Sequence, residues 1–328
     1  MKHISLLVPT GAHIGCIDGT LQVFTEVNDF LISKGKQPAF RVQLVGVSKE
    51  PPLKNRLISI SPDVLISEIR KTDLIIIPAP FYISLEKTID LNKEFLPWIA
   101  KQYKLGSELA SLCVGTFLLA ATGLLKGRKC STHWMFANDF RAMFPDVELV
   151  TDRIITDENG IYSSGGALSY MNLILYLVEK YAGREASVHC SKVFEVEIDR
   201  GSQSPFIMFR GQKSHEDEPI KKAQEYIEKH FQDKITVDQL ASLLSIGRRN
   251  LERRFKKATS NTVVEYMQRV KIEAAKLSFE STRENVNEVM YKVGYTDTKA
   301  FRTTFKKITG LSPVHYRNKY NRSIAVYV

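Results

Sequence analysis

Apolar residues follow two different rhythms along this chain. In the first two hundred residues, the runs ISLLV (4–8), VQLVGV (42–47), LIII (74–77) and LASL (109–112) are short and rich in branched aliphatics, which predicts buried strands. Helical spacing lies between them, over 21–32 and around 91–99. Strands alternating with helices predict a parallel sheet covered on both faces. Further on, RIIT (153–156) and IYS (161–163) flank Asn159-Gly160, a hairpin turn signal. Two more helices are expected over 167–181 and 184–198, separated by Gly183.

The rhythm changes after residues 200–219, where Gly, Ser and Pro cluster before a small acidic group, and this stretch reads as a linker. A boundary near 212 divides the chain into 1–212 and 213–328, and beyond it only helical patterns follow. Thr236 and Gln239 form a capping box that opens a short helix through Leu244. Ser245-Ile246-Gly247 is a turn, and a second helix over 248–258 points Leu251 and Phe255 inward. Thr262 and Glu265 cap a longer helix to about 279, with Val263, Met267, Val270, Ala274 and Leu277 as its expected buried face. The layout then repeats. Asn285 and Glu288 cap a short helix, Gly294 breaks it, and Asp297 caps a helix over 298–308 stopped by Gly310 and Pro313. Its buried stripe is Phe301, Phe305 and Ile308.

Charge changes the meaning of this repeat. Of the formal net charge of +10, residues 213–328 carry +9, from 23 lysines and arginines against 14 carboxylates. Helix, tight turn and helix with a basic outer face is a helix-turn-helix layout. Arg249, Glu252, Arg253 and Lys256 share the outer face of the first unit's second helix. Thr298, Lys299, Arg302, Thr303 and Lys306 occupy the same face of the second unit's. A connecting helix of about 18 residues is ~27 Å long at ~1.5 Å per residue, and adding the turns separates the two outer helices by ~34 Å. That is one turn of B-DNA, so both helices fit successive major grooves of one duplex.

The segments LERRFKKATSNTVVEYMQRVKIEAAKLSFES and VGYTDTKAFRTTFKKITGLSPVHYR resemble the two halves of the AraC/XylS-type transcription regulator DNA-binding domain, over about 220–320. The resemblance implies base or phosphate reading by Arg249, Glu252 and Arg253 in the first unit and by Thr298, Lys299 and Thr303 in the second. It also implies a homodimer. Ser245 departs from the pattern, standing where that family often has glycine, with Gly247 at the N-cap.

Composition adds exclusions. The chain is 44% hydrophobic and 25% charged, as soluble globular proteins are. No signal peptide is read at the start, and the longest uncharged run, 109–125, is short for a membrane span. Cys16, Cys113, Cys130 and Cys190 form no CxxC pair and no ligand spacing with the seven histidines. Free thiols in a reducing cytoplasm are expected, with no metal and no cofactor.

Cys113 is the exception among the four. In SLCVGTFLL it stands at a strand-to-helix turn, where the helix macrodipole favours thiolate. The surrounding LASLCVGTFLLAATGLLKGRKCSTHW, with DGTLQVFTEVN, SSGGALSYMNLILYLVE and SQSPF, resembles the PfpI/ThiJ-like branch of the class I glutamine amidotransferase superfamily over about 1–210. That resemblance implies a flavodoxin-like sandwich. Hydrolases of that fold follow the cysteine with histidine, but residue 114 is valine. They draw an oxyanion donor from a glycine pair, but Ala79-Pro80 stands here and proline has no N–H. Asp18 is the acid expected to face Cys113, with Glu26 as second choice. His133 could approach the site or simply pack.

The expected protein is a cytoplasmic transcription regulator. Its first domain binds a small-molecule effector around Asp18, Ala79, Cys113, Val114 and His133, and its second binds double-stranded DNA. Cys113 reads as a pocket floor with no catalytic residue assigned. A cysteine-dependent hydrolase or isonitrile-hydratase-like enzyme carrying a DNA-binding module is the rival reading, and an oxidation-sensing thiol is a third.

Overall fold

The computed structural model describes residues 1–50, 59–80 and 84–321. They fall into two compact units that divide between Gln203 and Ser204, earlier than the boundary expected near 212. Among the described residues no helix is long and apolar enough to cross a membrane.

The first unit is built on strands β1 (Lys2–Leu7), β2 (Phe40–Gly46), β3 (Val64–Leu65), β4 (Leu74–Ile77), β5 (Glu108–Ser111), β6 (Lys129–Cys130), β7 (Glu148–Leu149), β8 (Ile155–Asp157) and β9 (Ile161–Ser164). Seven of them form one sheet in the order β3-β2-β1-β4-β5-β9-β8, while β6 and β7 pair separately. Every pairing in the large sheet is parallel except β8 with β9. That hairpin turns at Asn159 and Gly160, with φ of 54° and 83°, the positive pair a tight two-residue turn requires. Strand β4, LIII, is wholly buried, as an apolar run inside a doubly covered sheet should be.

The helices of this unit are α1 (Ile14–Ser33), α2 (Leu85–Leu91), α3 (Phe95–Lys104), α4 (Gly115–Ala121), α5 (Ala137–Met143), α6 (Tyr170–Ala182) and α7 (Arg184–Val193). Three of the expected helices come out differently, and α5 answers to no expectation from the sequence. Helix α1 begins seven residues earlier than the pattern at 21–32, because Gly15 and Gly19 mask its first two turns; Gly19 leaves room for the Tyr170 hydroxyl. The helix expected around 91–99 is two, since Asn92 is buried and commits its side chain to both backbone groups of Thr10. Helix α7 stops at Val193, short of 198, with Glu195 left-handed at φ 52°.

The second unit contains α8 (Glu218–Lys229), α9 (Val237–Leu243), α10 (Arg248–Thr259), α11 (Val263–Ser281), α12 (Val286–Lys292), α13 (Thr298–Thr309) and α14 (Pro313–Tyr320). The capping boxes at Thr236, Thr262 and Asn285 are all made, and Asp297 caps α13. Pro313, expected as a stop, instead opens α14, with Ser312 capping the His315 N–H at 3.2 Å. One core joins Ile220, Ile227, Leu240, Leu251, Phe255 and Tyr266. Another joins Ile272, Phe279, Val289, Phe301, Phe305 and Tyr316. Helix α11 serves both, so its buried face is not the single stripe expected. Tyr266, Ile272, Ala275 and Phe279 are buried, whereas Leu277 is 58% exposed.

The two turns between paired helices share one backbone conformation, which strains serine and not glycine. Ser245 has φ 54° and Gly294 has φ 76°, both left-handed. A Cβ on Gly294 would also overlap the Gln232 carbonyl oxygen. Gly294→Ala should therefore lower the stability of the chain by about 2 kcal/mol or more, and Ser245→Gly should raise it by about 0.5–1 kcal/mol. Denaturant titration of the two variants checks both signs.

Candidate nucleic-acid interface and ligand pocket

Recognition faces are built by what each helix buries. On α10, Leu251, Phe255 and Thr259 are buried, leaving Arg249, Glu252, Arg253 and Lys256 exposed together. On α13, Phe301, Phe305 and Thr309 are buried; Lys299, Arg302, Thr303 and Lys306 are exposed and Thr298 is half-buried. Ile308, expected in that buried stripe, is only partly covered.

Their electrostatics differ. Glu252 accepts from Arg248 at 3.2 Å, and Arg248 also reaches Asp238 at 3.0 Å. Lys256 caps its own helix end at Ser260 O, 3.1 Å away, and lies 3.9 Å from Glu265. By contrast Arg249, Arg253, Lys299, Arg302 and Lys306 have no carboxylate within 4.0 Å among the described residues. Arg253 bonds only the neutral Asn250 side chain, at 3.1 Å. Exposed cations without an acidic partner are what a phosphate or base edge requires. Arg254 is committed elsewhere, holding Asp217 with two bonds at 2.6 and 2.9 Å, and that guanidinium keeps the Asp217 carboxyl below its usual range.

In the first unit, Cys113 stands at the carboxyl end of β5 with φ 55°, the strained apex expected of a strand-to-helix elbow. Gly115 makes the turn possible, since a Cβ there would overlap the carbonyls of Ile77 and Pro78. The apex is fully wired. The Cys113 N–H donates to Ser164 Oγ at 3.2 Å, and its carbonyl accepts from Thr116 and Thr132 hydroxyls at 3.1 and 3.0 Å. The backbone N–H groups of Val114 and Ala167 point at the thiol. Even so, burial dominates and pushes the thiol up to about 11, so the thiolate expected from the helix terminus does not form at neutral pH.

The other expected pocket residues are placed unequally around it. Val114, 5% exposed, packs in the core beside the apex. Ala79 lies at the end of β4, its carbonyl taken by the His13 N–H at 2.8 Å and its own N–H directed at the Cys16 thiol. His133 is half-buried against Gly166, the neighbour of Ala167, and its Nδ1 accepts the Met135 N–H at 3.1 Å. Burial holds that imidazole below its ordinary pKa, in the neutral form. Asp18 is on the exposed side of α1, accepting from Gln22 at 2.7 Å. Glu26 is 2.7 Å from His189 Nε2 and belongs to a separate cleft lined by Leu21, Asp29, Val193 and Phe194.

Three residues near the apex were not singled out from sequence. Cys16 is the α1 side chain close enough to Cys113 to feel its charge, and its own thiol is pushed up to about 12 by burial. Ala167, left-handed at φ 37°, supplies one of the N–H groups on Cys113. Gln203 accepts the Gly166 N–H at 3.1 Å and donates to the Thr132 and Arg153 carbonyls at 3.0 and 3.3 Å. The one sequence signal was the Gly165-Gly166 pair after β9. Among the described residues no group of histidines, cysteines and carboxylates could hold a metal.

Comparison with known proteins adds relatives to this geometry. Residues 28–180 match the DJ-1/PfpI family, and residues 240–319 match a helix-turn-helix domain family. The chain is 26% identical to the HTH-type transcriptional regulator GbdR of Pseudomonas aeruginosa, over 78% of this chain and 69% of GbdR. It is 22% identical to the HTH-type transcriptional regulator CdhR of the same species, over 84% of this chain and 80% of CdhR. Among solved structures, a candidate transcriptional regulator from Vibrio parahaemolyticus is similar over 58% of this chain and 98% of its own, at 25% identity and a TM-score of 0.52.

A buried neutral thiol has a measurable signature. Alkylation of Cys113 by iodoacetamide, followed by mass spectrometry of the full chain, should be slow at pH 7.5 and rise about tenfold per pH unit up to pH 10. A rate already level by pH 8 would mean that the thiol is ionised near neutrality.

Proposed function

The chain belongs to the AraC/XylS-type transcription regulators that carry an N-terminal domain of the DJ-1/PfpI family, and from this premise we propose that it is a cytoplasmic, effector-responsive regulator acting as a homodimer. Arg249 and Arg253 on α10, with Thr298, Lys299, Arg302, Thr303 and Lys306 on α13, read DNA in two adjacent major grooves. Glu252 and Lys256 shape the first face from its edge. The observation that supports this reading is that Arg249 and Arg253 on one exposed helix face, and Lys299, Arg302 and Lys306 on the other, have no acidic partner among the described residues, with Leu251 and Phe255 buried behind the first and Phe301 and Phe305 behind the second. An arginine pairing bidentately with guanine is worth ~1–3 kcal/mol of discrimination, whereas a lysine on phosphate adds affinity without preference.

The effector site is proposed at the carboxyl ends of β1, β4 and β5, where strand order reverses about β1 and open sheets place their ligands. Ala79, Cys113, Val114 and His133 line it, with Asp18 at the outer rim of α1. Cys113 is its floor and not a nucleophile. Val114 in place of a histidine, the neutral thiol, and the Ala79 N–H turned to Cys16 support this.

Sites selected by the full-length protein from a random duplex pool provide the test. Arg253→Ala should bind the selected site at least tenfold more weakly while changing affinity for unrelated duplex less than threefold. Lys306→Ala should weaken both alike and reduce the salt slope by about one. An unaltered affinity in Arg253→Ala would show the recognition face to be misassigned. Turnover of p-nitrophenyl acetate or an alkyl isonitrile, abolished by Cys113→Ser, would instead favour the enzyme reading.

A further inference from the structure

The segment 204–212, part of the stretch 200–219 whose composition reads as linker, is laid down on the second unit by named bonds at both ends. Near its start, Ser204-Pro205-Phe206 forms a short 3-10 turn. The Tyr320 hydroxyl donates to the Pro205 carbonyl at 3.4 Å, and the Lys319 ammonium lies 5.2 Å from the Phe206 ring centre. Gly310, the C-cap of α13, brings the end of the second recognition helix against Ser204 and Pro205. Near the segment's end, Phe209 packs edge-on against Tyr266 with ring centres 5.0 Å apart. Gly211, at φ 69°, passes so close to the Tyr266 hydroxyl that a Cβ would overlap it. Gln212 accepts from Gln224 at 2.8 Å through its carbonyl and from Asn261 at 3.1 Å through its side chain, at the corner between α10 and α11.

The middle is held by an ion pair between a buried lysine and a half-buried glutamate. The Lys276 side chain is only 4% exposed; its ammonium donates to Ile207 O at 2.6 Å and to Glu273 Oε2 at 2.8 Å. The same carboxylate oxygen accepts the Phe209 N–H at 3.0 Å. Taking a lysine and a glutamate out of water is costly unless their remaining hydrogen-bonding capacity is met, and here backbone groups of 207 and 209 meet it. The pair is therefore fitted to the segment lying across it. A tether would need no such partner.

We infer that residues 204–212 are a strap, parallel in role to α11, that fixes the separation of recognition helices α10 and α13, and that Lys276 and Glu273 are positioning residues for DNA reading. This rests on the assignment of those helices to DNA. With the strap added to α11 and to the contact of Gln232 with Gly294, the spacing between the two sub-sites becomes a quantity the protein discriminates. Loss of the strap leaves α11 and the contact of Gln232 with Gly294, and relaxes that discrimination.

The test compares Lys276→Met, Lys276→Arg and Phe209→Ala in the full chain. Affinities are measured for the duplex selected by the wild type and for the same duplex with one base pair inserted between its sub-sites. The wild type should favour native spacing at least twentyfold, and Lys276→Met less than fivefold. Lys276→Arg should restore the ratio to within twofold of the wild type. Phe209→Ala leaves every α11 side chain in place and should also lower the ratio, which covers the case of a Lys276→Met that does not fold. Equal losses on both duplexes, with the ratio unmoved, would reveal a purely structural role and overturn the inference. Hydrogen exchange at amides 207–211 should quicken at least tenfold in Lys276→Met, and unchanged exchange would equally overturn it. If the wild type selects no sequence, the DNA assignment is lost and the positioning role with it; the exchange measurement separates that failure from failure of the strap.

Discussion

Helix α11 lies in two hydrophobic cores at once, and the placement of everything assigned to DNA reading depends on it. Val263 and Tyr266 belong to the first core, Ile272, Ala275 and Phe279 to the second. Val263 and Ile272 are nine residues apart, two and a half turns at 3.6 residues each, so they project from opposite sides of the rod. Each recognition helix is then anchored to its own side by a phenylalanine, Phe255 in one core and Phe305 in the other. Close-packed interiors deform little, so the orientation of α10 relative to α13 is a property of the cores rather than of the exposed residues that touch a duplex.

That double duty also explains where the sequence was legible and where it was not. Caps are local: Thr236 with Gln239, Thr262 with Glu265 and Asn285 with Glu288 satisfy their own helix ends, and each was readable three residues at a time. The buried stripes of α10 and α13 were readable because each helix faces one core. For α11 a single 3.6-residue stripe predicts a buried Leu277, which the structure leaves exposed. The face rotates because the partner changes midway. Likewise Pro313 was legible as a break but not as the first residue of α14, since proline serves both roles.

The pocket shows the same division. The elbow at Cys113 could be read from the strand, the cysteine and Gly115, all within five residues. Its surroundings could not. Cys16 and Ala167 approach Cys113 from positions 97 and 54 residues away in sequence; nothing local marks Cys16, and only the Gly165-Gly166 pair marks the turn before Ala167. The expected thiolate also failed for a reason composition hides. A helix of seven residues offers a small dipole, and two N–H groups do not offset the burial of the thiol. Burial holds the thiol in its neutral form near pH 7.5, so nucleophilic chemistry at this cysteine would start from a large disadvantage.

For the pocket to influence DNA reading, it needs a connection whose energy matches the task. Coupling between sites is usually about 1–3 kcal/mol. Gln203 makes three side-chain hydrogen bonds, to Gly166, Thr132 and Arg153, each worth about 0.5–1.5 kcal/mol net. Their sum is of the same order as a regulatory coupling. Gly166 precedes Ala167, whose N–H faces the Cys113 thiol, and Ser204 follows Gln203 directly. A ligand that displaced the 165–167 turn would therefore strain or break bonds at the last residue of the first unit, one peptide bond from the segment clasped by Lys276. No long chain of side chains is required between the two sites. The backbone itself would carry that strain, and its effect would depend on how firmly Lys276 and Glu273 hold the other end.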